Sequence, residues 1–578
     1  MIKTLLKSVR EYKKATILTP FFVALEVVME VLLPFVMALL IDQGIEKGNM
    51  NVIYKYGFIL ILFALLSLLF GYLSGRFASI ASSGFAKNLR HDMYYKVQDY
   101  SFANIDKFST SSIITRLTTD VTNVTNAFQM AIRIAVRAPL MFVFSLIMAF
   151  SLNDKISLIY LIVAPILLIC LLIIANKAKP RFESVFKTYD ELNNTVQENI
   201  RGIRVVKAFV QEDYEKNKFN KISNKIYNNF VKAQKTVILA SPLMQLCMYT
   251  CIIFISWISA KLIVGGMMTT GELTSFITYT ATILSSLMML SMIYVMFMIA
   301  IPSAERCLEI INEKIDLESP VVPIKQIKDG SISFQNVSFS YVKSEDKLVL
   351  KNINLDIKSG EVIGIIGATG SGKSTLVNLI PRLYDVTKGK ILIGGVDVRD
   401  YDLKLLRDEV ACVLQKNVLF KGSIKENLLW GNEKASMEDI IRVCKLSEAS
   451  EFINSFEDKY DTLISQGGTN VSGGQKQRLC IARALLKKPK IIILDDSTSA
   501  CDTKTDSLIR KNFKEYLPKV TKIIIAQRIS SIEDADRVIV IDDGKIDAFD
   551  TPSNLLKTNK IYREVYNLQT RGDSNATN

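Results

Sequence analysis

Six stretches in the first half of the chain are too long and too apolar to be ordinary amphipathic elements: about 16–41, 55–78, 130–152, 156–176, 237–264 and 273–301. Roughly 20 apolar residues in helical form cross the hydrocarbon layer of a bilayer, so each stretch predicts a membrane-spanning helix. The connections near 42–54, 153–155 and 265–272 are short and poor in Lys and Arg, whereas 82–129 and 177–236 are long, basic and helical in pattern. Basic loops stay in the cytoplasm, which places both termini there and predicts helices that continue past the bilayer as stalks. Met1–Lys14 reads as a basic amphipathic helix with Ile2, Leu5, Leu6 and Val9 on one side, not as a cleavable signal. A linker over 304–328, with Pro320 and Pro323 marking the change of composition, leads to a second domain at 329–568. There the short apolar runs Val362–Ile366 and Ile491–Leu494 read as buried strands. Residues 569–578 read as a disordered tail whose Arg-Gly-Asp is a chance match.

The formal charge of +14 follows from the cytoplasmic bias of Lys and Arg and suits anionic lipid headgroups, so nucleic acid is not expected as a partner. Eight cysteines, at 170, 247, 251, 307, 412, 444, 480 and 501, form no C-x-x-C pair, and the only histidine is His91, so a thiol–imidazole metal site is not expected. Abundant Lys, Asn and Ile suit an AT-rich bacterium, which makes the expected location a bacterial plasma membrane.

Chemistry enters with Gly367-Ala368-Thr369-Gly370-Ser371-Gly372-Lys373-Ser374-Thr375, which follows one apolar run and opens a helical pattern. Strand, glycine loop and helix in that order form a phosphate cradle. Backbone N–H groups turn inward, Lys373 reaches the β and γ phosphates, and the Ser374 hydroxyl can ligate Mg²⁺. Asp495, at the carboxyl end of the second apolar run, suits the Mg²⁺ water shell. Between them Val471-Ser472-Gly473-Gly474-Gln475 opens a basic helical stretch whose first N–H groups can bind an anion.

The order and spacing of these motifs resemble the nucleotide-binding domain of an ABC (ATP-binding cassette) protein over roughly 330–565. The resemblance makes Tyr341 the aromatic that stacks on adenine, Gln415 the residue that contacts Mg²⁺ and attacking water, and Ser499-Ala500-Cys501-Asp502 the D-loop. It also implies two cassettes closing head to tail, with ATP held by the phosphate loop of one (Gly367, Gly370, Ser371, Gly372, Lys373, Ser374, Thr375). Ser472, Gly473, Gly474 and Gln475 of the other then act in trans. The implied fold is an α-helical transmembrane domain followed by an α/β P-loop ATPase domain. Two stretches, around Phe102–Ser112 and at Ala208–Asp213, are candidates for coupling helices.

Three departures from the family pattern follow. Asp496 stands where a water-polarising glutamate is usual, one methylene short. Gln527 stands where a switch histidine is usual, and its amide cannot carry a proton. Ser465-Gln466-Gly467-Gly468 replaces a Gly-Glu-Arg-Gly stretch, while the signature is intact. The combination resembles the degenerate-site half of heterodimeric ABC exporters, with a slow homodimer and an ATP-gated regulatory subunit as the other readings. The expected cargo is an amphipathic small molecule, drug or lipid. Glu26 and Glu30 share a face of the first span. They are either acceptors for a cationic lipophilic substrate or partners of Arg76, Arg133 or Arg137. Met292 and Met296, in a methionine-rich last span, either line an adaptable cavity or face lipid and neighbouring helices.

Overall fold

A computed structural model describes every residue apart from 343, 498 and 576–578, with 570–575 described as backbone alone. The chain divides into two compact units, one from residues 1–99 and 108–313, the other from 100–107 and 314 onward.

Among the described residues the first unit holds six helical runs long and apolar enough to span a membrane: Ile2–Ile45, Met50–Gln98, Thr110–Leu152, Asp154–Arg201, Glu212–Val264 and Thr270–Asn312. They enclose the six stretches expected from hydropathy. Asp154–Arg201 alone has 48 residues, about 70 Å at 1.5 Å per residue, more than twice the roughly 30 Å hydrocarbon layer. Buried phenols stitch the helices together. Tyr279 donates to the Val31 carbonyl at 2.8 Å and Tyr160 to that of Phe276 at 3.0 Å, so neither hydroxyl is left unsatisfied in an apolar interior. Pro20, Pro34, Pro139 and Pro165 all lie inside helices.

Residues 304–312, expected as linker, continue the last helix. Ala304, Cys307, Leu308 and Ile310 give them a buried apolar face, and Arg306 Nε donates to the buried Asp120 at 2.7 Å.

The second unit is built on three sheets among the described residues. The strands are β1 (Ile332–Phe339), β2 (Leu350–Ile357), β3 (Val362–Ile366), β4 (Lys388–Ile393), β5 (Val396–Asp397) and β6 (Val410–Val413). They continue as β7 (Gly422–Ser423), β8 (Leu463–Ile464), β9 (Ile491–Asp495), β10 (Thr521–Ile525), β11 (Arg537–Asp542) and β12 (Lys545–Asp550). The main sheet has the order β12-β11-β3-β10-β9-β6, parallel except for the β12 edge. A four-stranded antiparallel sheet has the order β2-β1-β4-β5, and β7 pairs with β8. Because side chains alternate along a strand, Ile491, Ile493, Ile523 and Ile525 pack toward the antiparallel sheet. Ile492, Leu494 and Ile524 pack on the opposite face, toward the helix Gly473–Leu485. Burial of both faces explains the near-continuous apolar runs of β9 and β10.

The first coupling candidate is a short helix, Phe102–Lys107, that belongs to this second unit. Asn104 donates to the Lys314 carbonyl at 3.0 Å, and Tyr384 donates to Asp106 at 2.7 Å. The helix Lys560–Asn575 continues past residue 569, where a tail was expected to begin, and the end of that expected tail, 576–578, lies outside the described residues.

Candidate nucleotide site

Parallel pairing of β3, β10, β9 and β6 brings four carboxyl ends to one edge of the sheet: Ile525 lies beside Asp495 and Ile365, and Val413 beside Leu494. Residues just beyond those ends lie at the same sheet edge, the usual ligand position for an open parallel sheet. The phosphate loop leaves β3 there, Asp495 ends β9, Gln527 follows β10 by two residues and Gln415 follows β6 by two.

The loop is shaped for a polyanion. Gly372, at φ 102°, takes a left-handed conformation to turn the chain into the helix Lys373–Leu379, and a Cβ there would meet Leu350 at 2.9 Å. Gly370 is likewise left-handed at φ 84°, while Gly367 opens the loop. Lys373 Nζ folds back onto the Gly367 and Ala368 carbonyls, both at 2.8 Å. Among the described residues the buried Ser371 hydroxyl has no hydrogen-bond partner. A lysine held only by loop carbonyls and an orphaned hydroxyl beside it fit a phosphate chain, and these residues would hold that of ATP. Ser374 Oγ donates to Asp495 Oδ1 at 3.1 Å, so the hydroxyl and carboxylate that would hold Mg²⁺ already meet. Burial pushes the Asp495 carboxyl above its ordinary range, helped by the neighbouring Asp496, and burial lowers the Lys373 ammonium. Each group is thus poised to gain from an opposite charge.

Asp496 adopts a left-handed backbone at φ 51°, and its amide donates to the Ile525 carbonyl at 3.1 Å. Its Oδ2 accepts from Gln527 Nε2 at 2.9 Å. Burial raises the Asp496 carboxyl, and the Gln527 hydrogen bond opposes that rise. Gln527 is itself held through its main chain. Gln569 Nε2 donates to the Gln527 carbonyl at 2.9 Å, and Gln569 Oε1 accepts from the Ile529 N–H at 2.8 Å.

At the other edge, Ser472 and Gln475 form a reciprocal capping box at the start of the helix Gly473–Leu485. Gly474 has no room for a side chain, since a Cβ would meet the Ala500 carbonyl at 2.8 Å; a Cβ on Gly473 would lie 3.3 Å from that of Ala500. The buried Gln477 joins this helix to the segment after β9. Its Oε1 accepts from the Ala500 N–H at 3.0 Å, and its Nε2 donates to the Ser499 hydroxyl at 3.3 Å and the Asp496 carbonyl at 3.4 Å. Asp502 caps the helix Thr503–Tyr516, accepting from the Thr505 N–H at 2.9 Å. Tyr341 is 45% exposed, with its hydroxyl 3.0 Å from that of Thr375 and its ring edge-on to Tyr384. Gln415 is exposed, beside a groove of about 360 Å³ lined by Leu414, Asn417, Phe420 and Trp430.

Comparison with known proteins matches both units. Residues 350–499 fit the family described as ABC transporter, and residues 16–288 fit the ABC transporter transmembrane region. The chain is 36% identical over 544 residues to the uncharacterized ABC transporter ATP-binding protein YfiB of Bacillus subtilis (strain 168), covering 94% of each chain. This chain belongs to the ABC transporter family. A second B. subtilis relative, the uncharacterized ABC transporter ATP-binding protein YknU, is 35% identical over 484 residues, 84% of this chain and 83% of that one. The ATP-dependent lipid A-core flippase of Pseudoalteromonas translucida is 29% identical over 531 residues, 92% of this chain and 91% of the flippase.

The ABC transporter chain is therefore a half-transporter, a transmembrane domain fused to one ATP-binding domain and similar to exporters, with the ATPase and translocase activity its cassette implies. ABC transporters act as dimers, so this chain works with a second one. In its membrane unit, Arg137 pairs with both members of the acidic pair. Its Nη2 donates to both Glu30 oxygens at 2.7 and 2.8 Å, its Nη1 donates to Glu26, and Ser74 Oγ donates to Glu26 at 3.2 Å. Gly71 lets that carboxylate approach, since a Cβ there would lie 3.2 Å from it. Met292 is 60% exposed and Met296 half-buried.

Proposed function

We propose that this chain is one half of a heterodimeric exporter in a bacterial plasma membrane, with termini and cassette cytoplasmic. Its own phosphate loop forms the weaker of two ATP sites, and its Ser472–Gln475 edge completes the stronger one on a different half-transporter. The observation that carries the reading is the hydrogen bond between Asp496 and Gln527.

ATP supplies the phosphoanhydride whose cleavage resets the transporter, with Mg²⁺ offsetting phosphate charge. A general base must come within roughly 3 Å of the proton it takes. Asp496 is short for that task and already accepts a hydrogen bond. Gln527 uses an N–H on Asp496 and offers no titratable group. Lys373, Ser374 and Asp495 retain the means to hold nucleotide and metal, so this site binds and clamps while the partner's site turns over.

Closure of the two cassettes would move the membrane helices as levers. The exposed tip Ile203–Ala208 with Phe209 and Val210, 71% and 79% exposed, suits docking on the partner's cassette in a groove like that beside Gln415. The cargo is an amphipathic small molecule. The lipid named for the flippase relative supports a lipid-like one. Purification of the chain from its native membrane with intact-mass analysis tests the assembly. A one-to-one complex with a half-transporter carrying Glu and His at these positions is expected, and recovery of a homodimer alone would defeat the reading.

A further inference from the structure

A second cavity of the cassette, about 340 Å³ in volume, lies away from the phosphate loop, where the start of β3 and β10 meets the helix Thr503–Tyr516. Val362, Phe513 and Ile524 give it an apolar floor, and its polar lining is mainly basic. Arg510, Lys511 and Lys514 come from the helix, and Lys522 from β10.

Lys522 is only 2% exposed. Its ammonium donates to the Leu517 carbonyl at 2.6 Å, which uses one of three N–H groups, and no other partner is described. Burying a charge with so little compensation is costly. Burial accordingly lowers its pKa to about 8, with Asp536 opposing the fall. Asp536 also accepts from the Val362 N–H at 2.8 Å. Arg510 Nη1 donates to Asp534 at 2.8 Å, but its buried Nε, 3.4 Å from Asp506, makes no hydrogen bond. Lys511 and Lys514 are exposed and have no ion-pair partner among the described residues. Four cations thus line the cavity with one carboxylate, Asp534, while Asp506 and Asp536 contact lining residues from behind, and donors are unfilled on Lys522 and Arg510.

We propose that this cavity binds a small organic anion, an oxyanion on an apolar body, and that its occupancy tunes ATP turnover. The path to the nucleotide site is short. The helix that carries Arg510, Lys511 and Lys514 is capped by Asp502, and β10, which holds Lys522, leads into the segment bearing Gln527. Ser531, two residues past Ile529, lines the cavity and donates to Asp506 at 2.9 Å. A ligand gripped between helix and strand therefore bears on both segments that flank the γ-phosphate position.

The test uses the purified full-length transporter with its nucleotide sites saturated by a non-hydrolysable ATP analogue. Phenyl phosphate and benzoate are titrated separately by calorimetry, so that phosphate and carboxylate sources are distinguished, and ATPase rates are followed in parallel with ATP. Saturable binding of at least one probe is expected. Lys522→Met should weaken it about tenfold, the worth of one charge-assisted hydrogen bond, and Lys511→Ala/Lys514→Ala a few fold. No binding, or equal affinity in all three proteins, overturns the site. Should Lys522→Met fail to fold, the exposed double variant decides alone, and unchanged affinity sinks the proposal. Binding without any change in ATPase rate overturns the regulatory half.

Discussion

The phosphate-loop edge and the signature edge of this cassette share a sheet but differ in which part of their design is retained. At the first, the loop, Lys373, Ser374 and Asp495 are all in place, yet Asp496 and Gln527, the two positions that depart from the family pattern, hydrogen-bond each other at 2.9 Å. At the second, Ser472 and Gln475 cap the signature helix reciprocally, and Gly474 leaves the space that the Ala500 carbonyl needs. Gln477 spans the two, holding the Asp496 carbonyl and the Ala500 N–H together. Both edges keep their scaffold, and positions 496 and 527 are where the first departs from the family pattern. On the proposed reading, such a site would bind nucleotide and shape its partner while turning over slowly.

The sharpest way to break this comparison is to damage each edge separately in the assembled complex. Gly473→Asp places a carboxylate at the helix terminus that must face phosphate, and complex ATPase should fall about a hundredfold, the scale of losing an electrostatic donor in a reacting site. Lys373→Ala in this chain alone should lower total turnover no more than about threefold, since the proposed asymmetry leaves most of it to the other site. Equal losses in steady-state ATPase assays would abolish the asymmetry. The reverse experiment restores chemistry: Asp496→Glu with Gln527→His should raise hydrolysis at this chain's site about tenfold, the lower range of general-base effects. Single-turnover measurement with the partner's site inactivated reads that rate directly, and an unchanged rate means other groups limit it.

Much of this edge was legible in the sequence because a phosphate cradle and a metal carboxylate depend on local spacing. Gly367–Thr375 and Asp495 need only a strand, a turn and a helix in order. The six spans were legible for a similar reason, as length and apolarity suffice. Pairings across elements were not. Arg76, Arg133 and Arg137 were equivalent candidates for Glu26 and Glu30 until helix packing, with Gly71 allowing close approach, placed Arg137 against both. Lys522 reads as an ordinary strand residue, and only the burial of both sheet faces traps its ammonium. The last helix ran past 303 because its apolar face continues through Ile310, a period hidden beneath the charges at 305, 306 and 309.

Gln569 was also missed, since it begins a polar segment without any motif. It makes the smallest of the expected contributions and the most specific one. Its amide bridges the Gln527 carbonyl and the Ile529 N–H, so it fixes the main chain on either side of Arg528 without reaching the nucleotide position itself. Each hydrogen bond is worth roughly 1 kcal/mol net, so losing both loosens the loop without unfolding the cassette. Gln569→Ala should lower single-turnover hydrolysis at this site about threefold in the Asp496→Glu/Gln527→His background, where the loop position matters for proton handling. It should leave nucleotide affinity and the partner's site unchanged. Asn at 569 is one methylene short of bridging both groups and should not rescue, whereas Glu keeps the acceptor for Ile529 alone and should rescue in part. If Gln569→Ala weakens nucleotide binding as much as turnover, the helix Lys560–Asn575 supports the fold of the cassette generally and does not position the loop that carries Gln527.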